Sequence, residues 1–153
     1  MSPRETFALR DYLGPDLTGR TISDARRVVS LTDILKHSCL GDRLGELSGR
    51  SVLMAVSDQL ISGLVMTEID GVARRMLLCP PDLNADHLQS LMADADIDAV
   101  VTDHPERWTD GHVELVIPAV ADARIPDRVA LQAWAEIIAE REGFTRGHFH
   151  RPR

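Results

Sequence analysis

The side chains with the clearest chemical potential are a serine and an Asp-His pair, and each follows an apolar run of the chain. Ser57 comes directly after residues 51–56, Asp103 is the last residue of the run 98–103, and His104 follows it. If both runs are parallel strands, their carboxyl ends share one sheet edge, where open α/β sheets usually bind ligands. Ser57, Asp103 and His104 are therefore our candidates for a ligand pocket.

Each of these three residues also has a plain structural interpretation. The nucleophile of a Ser-His-Asp hydrolase sits on a sharp turn with glycine neighbours, and Ser57 has none. Ser57 and Asp58 are instead well suited to cap a helix that begins after them. Asp103 and His104 are adjacent in the chain, so their side chains point in different directions. The sequence thus predicts no catalytic residue.

Other candidate groups are an Asp-His pair, histidines near the C-terminus and an arginine pair: Asp86 with His87, His148 and His150 with His112, and Arg74 with Arg75. Histidines two apart can share a divalent metal if a third ligand converges. Arginines can hold an anion, but they also pack their stems along apolar surface. A solvated or packing role is favoured for every group, and we predict no metal and no cofactor.

The chain between residues 51 and 103 alternates between strand and helix patterns. Apolar runs at 51–56, 75–79 and 98–103 predict three strands, and apolar residues at helical spacing between them predict two crossover helices. The first helix should end at Asp70-Gly71, and Pro80 should end the second strand. We therefore predict an α/β fold with a small parallel, possibly mixed, sheet flanked by helices.

Composition limits the possible partners. Net charge is −7, aromatic residues make up 4 % and the chain has 153 residues, enough for one domain. Such a charge repels phosphate backbones and anionic membranes, so we expect no nucleic acid and no membrane as partners. The N-terminal residues carry no apolar targeting segment, and no run reaches the ~20 apolar residues of a membrane span. A cytoplasmic location is the expectation.

Regularity falls towards both ends of the sequence. We predict an irregular arm for residues 1–20, a single α/β domain for residues 21–143, and a disordered basic tail for residues 144–153. Within the domain we predict a short hairpin over 21–30, a helix over 31–40 and a strand over 113–117. We also predict a helix over 126–142, whose apolar stripe includes Trp134.

Four segments together resemble the N-terminal part of AMP-forming acyl ligases, the acyl-CoA synthetase and coumarate-CoA ligase family. They are 47–56, 68–73, 78–83 and 95–102, in the order of strand, helix end, strand with prolines, and strand ending in threonine. Residues 26–35 are similar to the family's short strand that leads into its first long helix. The resemblance covers residues 26–118 and implies the first subdomain of such a ligase.

The motifs that carry the family's chemistry have no counterpart here. In that family a glycine-rich loop with a lysine cradles the ATP phosphates, and later acidic, arginine and lysine motifs position the adenylate. In this sequence no glycine-rich run precedes a lysine, and Lys36 is the only lysine. We therefore expect that the chain alone does not form acyl-adenylates, and the resemblance assigns no catalytic or nucleotide-binding residue.

Two classes of function remain, and the sequence leaves open whether the chain is an enzyme. The first is a noncatalytic N-terminal subdomain of an AMP-forming acyl ligase, standing alone or truncated, that acts through self-association or a partner chain. A homodimer formed through the sheet edge or the Trp134 helix is the specific expectation. The second is a module or small enzyme that binds an acyl or aromatic acid at the strand ends.

Overall fold

The computed structural model describes residues 7–13, 15–80, 82–108 and 113–120. Within them the strands are β1 (Thr21–Ser23), β2 (Val28–Ser30), β3 (Ser51–Ala55), β4 (Arg75–Leu78), β5 (Ala99–Thr102) and β6 (Leu115–Pro118). The helices are α1 (Leu31–Ile34), α2 (Gln59–Ile69) and α3 (Ala85–Asp94), and 3-10 turns lie at Leu9–Tyr12, Pro15–Leu17, Gly41–Leu47 and Pro105–Trp108. The predicted helix over 126–142, the tail 144–153, Pro81, His112, His148 and His150 lie outside the described residues.

The main sheet has four parallel strands in the order β4-β3-β5-β6. It confirms the predicted α/β fold, and every strand pairing in the described sheet is parallel. Helix α2 connects β3 to β4 in one direction along the sheet, and α3 connects β4 to β5 in the other. Because such crossovers are right-handed, the two helices lie on opposite faces.

The larger part of the core lies between the sheet and α2. Val52, Met54 and Val101 of the two central strands are buried there, and they pack with the apolar face of α2, which consists of Leu60, Ile61, Leu64, Val65 and Ile69. Their neighbours Leu53 and Val100 are also fully buried but point to the other face, since strand residues alternate. Helix α3 covers that second face with side chains that are only half-buried: Leu88, Leu91 and Met92.

Local signals determine where the central helices begin and end. The Asp58 side chain accepts a hydrogen bond from the Ile61 N–H at the start of α2, and Asn84 does the same for the Asp86 N–H at the start of α3. Helix α2 ends before Gly71, whose φ of +79° is a left-handed conformation that favours glycine. These boundaries agree with the sequence pattern.

A buried carboxylate that the sequence pattern does not reveal shapes the N-terminal part of the domain. Glu68 of α2 is 2 % exposed, and it accepts hydrogen bonds from the Ser38 hydroxyl at 2.5 Å and the Cys39 N–H at 2.6 Å. These contacts draw residues 38 and 39 onto α2, and α1 ends at Ile34 rather than near residue 40. The predicted helix over 31–40 is therefore too long.

The short antiparallel pair of β1 and β2 forms the hairpin predicted over 21–30. Asp24 makes its turn by accepting hydrogen bonds from the N–H groups of Arg26 and Arg27. The first described residues, before this hairpin, lie against the C-terminal end of α2, where the Leu9 N–H donates to Asp70 Oδ2 at 2.7 Å. This hydrogen bond anchors the segment to the body of the domain.

Candidate functional site

The three residues singled out from the sequence meet at one edge of the sheet. Ala55 of β3 pairs with Thr102 of β5, so the residues that follow these two strands emerge side by side. Ser57 lies between β3 and α2, and Asp103 and His104 lie between β5 and the turn Pro105–Trp108. The location inferred from the strand pattern is the one that the structure has.

Ser57 and Asp103 are in direct contact. Oδ2 of Asp103 accepts hydrogen bonds from the Ser57 hydroxyl at 2.7 Å, the Ser57 N–H at 2.9 Å and the Asp58 N–H at 3.1 Å. Asp103 therefore ties the end of β5 to the start of α2 and satisfies backbone donors at that helix end. Both residues have a structural function in this arrangement.

The electrostatic state of Asp103 follows from these bonds. Burial raises the pKa of Asp103, but the hydroxyl of Ser57 and the N–H groups of Ser57, Asp58 and Asp103 itself outweigh burial and lower the pKa below its ordinary value. The carboxylate is thus ionised at neutral pH. Its second oxygen, Oδ1, is buried and has no hydrogen-bond partner in the part of the chain that the structure describes.

A second carboxylate at the start of α2 is neutralised by an arginine. Arg27 of the hairpin donates to both oxygens of Asp58, at 2.5 and 2.7 Å, and to Asp24 at 2.5 Å. The pKa of Asp24 falls to about 2 because the Arg26 N–H, the Arg27 side chain and the Arg27 N–H all donate to it. Arg27 therefore links the hairpin to the helix that carries the candidate site.

The His104 ring contacts Glu106 rather than the serine. Its Nδ1 lies 3.1 Å from Oε1 of Glu106, and its backbone N–H donates to the Thr102 hydroxyl at 3.0 Å. The Ser57 hydroxyl donates its proton to a carboxylate, whereas a serine nucleophile would donate it to an imidazole. The described contacts thus do not form a Ser-His-Asp relay.

A cleft of about 200 Å³ nevertheless opens at this edge. Its walls come from the ends of β3, β4 and β5, the start of α3 and the turn after β5; besides Ser57, Asp103 and His104 they include Val56, Cys79, Pro80, Leu83, Leu88, Thr102, Arg107 and Trp108. Burial raises the pKa of the Cys79 thiol, which favours its protonated form.

Arg107 and Trp108 are lining residues that the sequence reasoning missed. Both follow Asp103 within the same short turn, Pro105–Trp108. The sequence could have indicated them, because they closely follow the carboxyl end of a predicted strand and loops at that end line ligand sites in open sheets. Arg107 makes no side-chain hydrogen bond or ion pair within the described residues, and it supplies positive charge at the cleft.

The remaining sequence candidates that the structure describes lie apart from the cleft. Asp86 and His87 are exposed on α3. The Arg75 side chain donates to the Ala95 carbonyl at 2.7 Å, just beyond the C-terminal end of α3. Across the described ranges no three metal-ligating side chains come together, and no helix is long and apolar enough to span a bilayer.

The fold and the cleft define an α/β protein with a parallel sheet and polar side chains at its strand ends. No family model matches the chain, and no curated protein matches it. A solved structure described as "Crystal structure of VinN" is similar, with a TM-score of 0.54 and 17 % identity over 96 % of this chain. The chain spans 39 % of the length of that solved chain, and the likeness shows the fold.

Proposed function

We propose that the chain is the N-terminal subdomain of an AMP-forming acyl ligase and that it acts through association, primarily with a second copy of itself, rather than as a catalyst. Two of the resemblance segments contain the central strands β3 and β5, one covers the end of α2, and one begins at Leu78, the last residue of β4. A fold that matches part of a longer chain is consistent with a subdomain.

The observation that carries the proposal is exposed apolar surface beside the outer strands of the described sheet. β4 and β6 are the outer strands of the described sheet. Leu78 at the end of β4 is 56 % exposed and Val120 beyond β6 is 57 % exposed, and further large apolar side chains are exposed near the N-terminus. Exposed apolar patches and open edges mark surfaces that associate.

The noncatalytic part of the proposal is supported by the state of the candidate site. Ser57 and Asp103 bind each other and the start of α2, so neither is placed to act as nucleophile or base. These contacts instead hold two strands and a helix together.

Two measurements test this function. Sedimentation of the purified chain from about 5 to 200 µM should show a mass that rises above the 16.9 kDa of one chain. Isothermal titration with ATP and Mg²⁺ should give no binding heat. A constant monomer mass would refute self-association, and ATP binding would contradict the noncatalytic role.

A second candidate function is favoured by the cleft, which fits a small acyl or aromatic acid. Leu83 and Leu88 supply an apolar wall, and the Arg107 guanidinium supplies charge for a carboxylate. Titration with benzoate and short fatty acids should then quench Trp108 fluorescence. Arg107→Ala should abolish that response and Arg74→Ala, at an exposed arginine elsewhere, should not. Equal responses in both variants would exclude the cleft as the binding site.

A further inference from the structure

The two outer strands of the described sheet, β4 and β6, differ in what their outer edges carry. In a strand, alternate residues turn their N–H and C=O groups to opposite sides, so the bonds to the inner neighbour show which residues face outwards. An outward N–H or C=O group without a partner can bond to a further strand. The edges of β4 and β6 can therefore be compared group by group.

The outer edge of β6 is largely occupied. β6 bonds to β5 through its odd-numbered residues, so Val116 and Pro118 face outwards. The Val116 carbonyl accepts a bond from Arg43 Nη1 at 3.3 Å, and Pro118 has no N–H to donate. Directly beyond the strand, the Val120 N–H donates to the Cys39 carbonyl at 3.0 Å. A further strand would have to displace these contacts.

The outer edge of β4 is open. The N–H groups of Arg75 and Cys79 donate to carbonyls of residues 50–54, at 3.3 and 2.9 Å, so the odd-numbered residues face β3. The N–H and C=O groups of Met76 and Leu78 therefore point outwards. In the part of the chain that the structure describes, these four groups have no hydrogen-bond partner.

Side chains along the edge of β4 do not protect it. Native sheets discourage pairing at their edges with lysines, prolines, bulges or inward-pointing charges. Met76, Leu77 and Leu78 carry no charge, and Leu78 is 56 % exposed. The charged residue of the strand, Arg75, is its first residue, and its side chain donates to the Ala95 carbonyl at 2.7 Å. Within the described residues, β4 thus carries the open and apolar edge of the sheet.

We propose that β4 pairs edge to edge, in antiparallel orientation, with β4 of a second copy of the chain. This inference rests on the proposed self-association and names its surface and its register. A two-fold axis at Leu77 places Met76 of each copy opposite Leu78 of the other. Each of these two pairs exchanges two backbone hydrogen bonds, and the two Leu77 residues form the close pair between them.

The neighbouring registers are less favourable. An axis at Leu78 would pair Met76 with Pro80, which has no N–H and whose carbonyl already accepts a bond within its own turn. An axis at Met76 would pair Leu78 with Arg74, whose N–H already donates to the Arg50 carbonyl at 2.9 Å. The axis at Leu77 is the register in which all four bonds come from residues of β4 itself.

A second copy fits this edge because the strand is complementary to itself. All three cross-strand pairs are apolar, and none of them sets like charges against each other. Arg75 of one copy lies opposite Cys79 of the other, so the arginines of the two copies lie at opposite ends of the paired strands. The contact is far smaller than the roughly 1,200–2,000 Å² of a standard interface, which predicts a dissociation constant on the order of 100 µM.

Sedimentation equilibrium of matched variants of the full chain tests the edge. Leu78→Lys places a charge on the open edge and should raise the dissociation constant about tenfold or more. Val120→Lys, at a side chain that is 57 % exposed beyond β6, should change it less than about twofold. Circular dichroism should show the wild-type fold for both variants, because both side chains are exposed.

Cross-linking tests the register. In a Cys79→Ser background, Leu77→Cys places two thiols in the close pair on the two-fold axis, a spacing that suits a disulfide. Mild oxidation at about 200 µM should therefore convert most of the Leu77→Cys chains into covalent dimers. Val120→Cys in the same background should stay mostly unlinked. Urea unfolding of the reduced chains shows whether both variants are folded.

Hydrogen exchange identifies what covers the edge. The Met76 and Leu78 N–H groups should exchange about twofold more slowly at about 200 µM than at about 5 µM, because only the dimer protects them. Strong protection at both concentrations would mean that another segment of the same chain covers the edge. That result would overturn the second copy as its occupant.

The outcomes distinguish this inference from the proposed function. A wild-type dimer that Leu78→Lys does not weaken, or that Val120→Lys weakens equally, would overturn the β4 edge but leave self-association standing. A wild-type chain that stays monomeric at about 200 µM would overturn both. Weakening by Leu78→Lys alone, with covalent dimers of Leu77→Cys, would support both.

Discussion

Asp103 is the residue whose replacement most directly separates a structural role from a chemical one. Asp103→Ala removes the acceptor of three hydrogen bonds, from the Ser57 hydroxyl and the N–H groups of Ser57 and Asp58. Hydrogen bonds to a charged group contribute about 1.5–3 kcal/mol each when buried, and a helix-capping side chain typically about 1 kcal/mol. Because Ser57 is exposed and water replaces part of the loss, we expect destabilisation by about 2 kcal/mol.

Two further variants, Asp103→Asn and Glu106→Gln, serve as comparisons for the destabilisation expected of Asp103→Ala. The amide of Asp103→Asn keeps an oxygen acceptor but loses the charge at the N-terminal end of α2, so about 1 kcal/mol should be lost. Glu106 lies in the adjacent turn with a side chain 67 % exposed, and Glu106→Gln should stay within about 0.5 kcal/mol of the wild type.

Urea unfolding followed by circular dichroism measures these differences, and for a domain of this size 2 kcal/mol corresponds to a melting shift of about 4–8 °C. Since the folded-state pKa of Asp103 is lowered, its contribution is present above the unfolded-state pKa of about 3.9 and is lost as pH falls through the lowered value. The gap between the wild type and Asp103→Asn should therefore close in acid. A gap below about 0.5 kcal/mol at pH 7, or one unchanged at pH 2, would refute the role of Asp103 in holding the start of α2 to β5.

Further predictions follow from single contacts. Glu68→Ala removes the carboxylate that accepts from the Ser38 hydroxyl and the Cys39 N–H and should cost about 3 kcal/mol in urea unfolding, with Glu68→Gln costing less. Asp24→Asn should remove the stability that the wild type loses as pH falls from about 4 to about 2, because the pKa of Asp24 is about 2; unfolding curves across this range measure it. Gly71→Ala, at a φ of +79° and in contact with Ala8, should destabilise by at least about 1 kcal/mol and increase cleavage near Leu9 in limited proteolysis, while Gly45→Ala should not.

Features with a local cause could be predicted from the sequence. Helix α2 has an N-cap at Asp58, apolar residues at helical spacing and a left-handed glycine after its end, and all three are visible in consecutive residues. The apolar runs that form β3, β4 and β5 are also visible in consecutive residues. Their alternation with helices determines a parallel sheet, since crossovers have one handedness.

Features that depend on distant partners could not be predicted. After α1 ends, Ser38 and Cys39 bond to Glu68, a residue about thirty positions further along the chain, whose burial breaks the usual rule for a charged side chain. The location of Asp103 followed from the strand pattern, but its bonds to Ser57 and Asp58 depend on how α2 leaves the sheet. Arg107 lies at the cleft because of a turn that no residue pattern in the sequence predicts.

The hydrogen bonding of Asp103 and Arg107 limits which ligands the cleft could accept. An ionised carboxylate only accepts hydrogen bonds, and Oδ2 of Asp103 already receives three, while Oδ1 is closed to solvent. A ligand that relies on Asp103 would have to break the contacts that hold α2 to β5. The guanidinium of Arg107 is a donor with no side-chain partner in the described chain, so a ligand at the proposed site would need an acceptor group to bind at no cost to the fold. Ligand affinity should therefore depend on Arg107, and stability on Asp103.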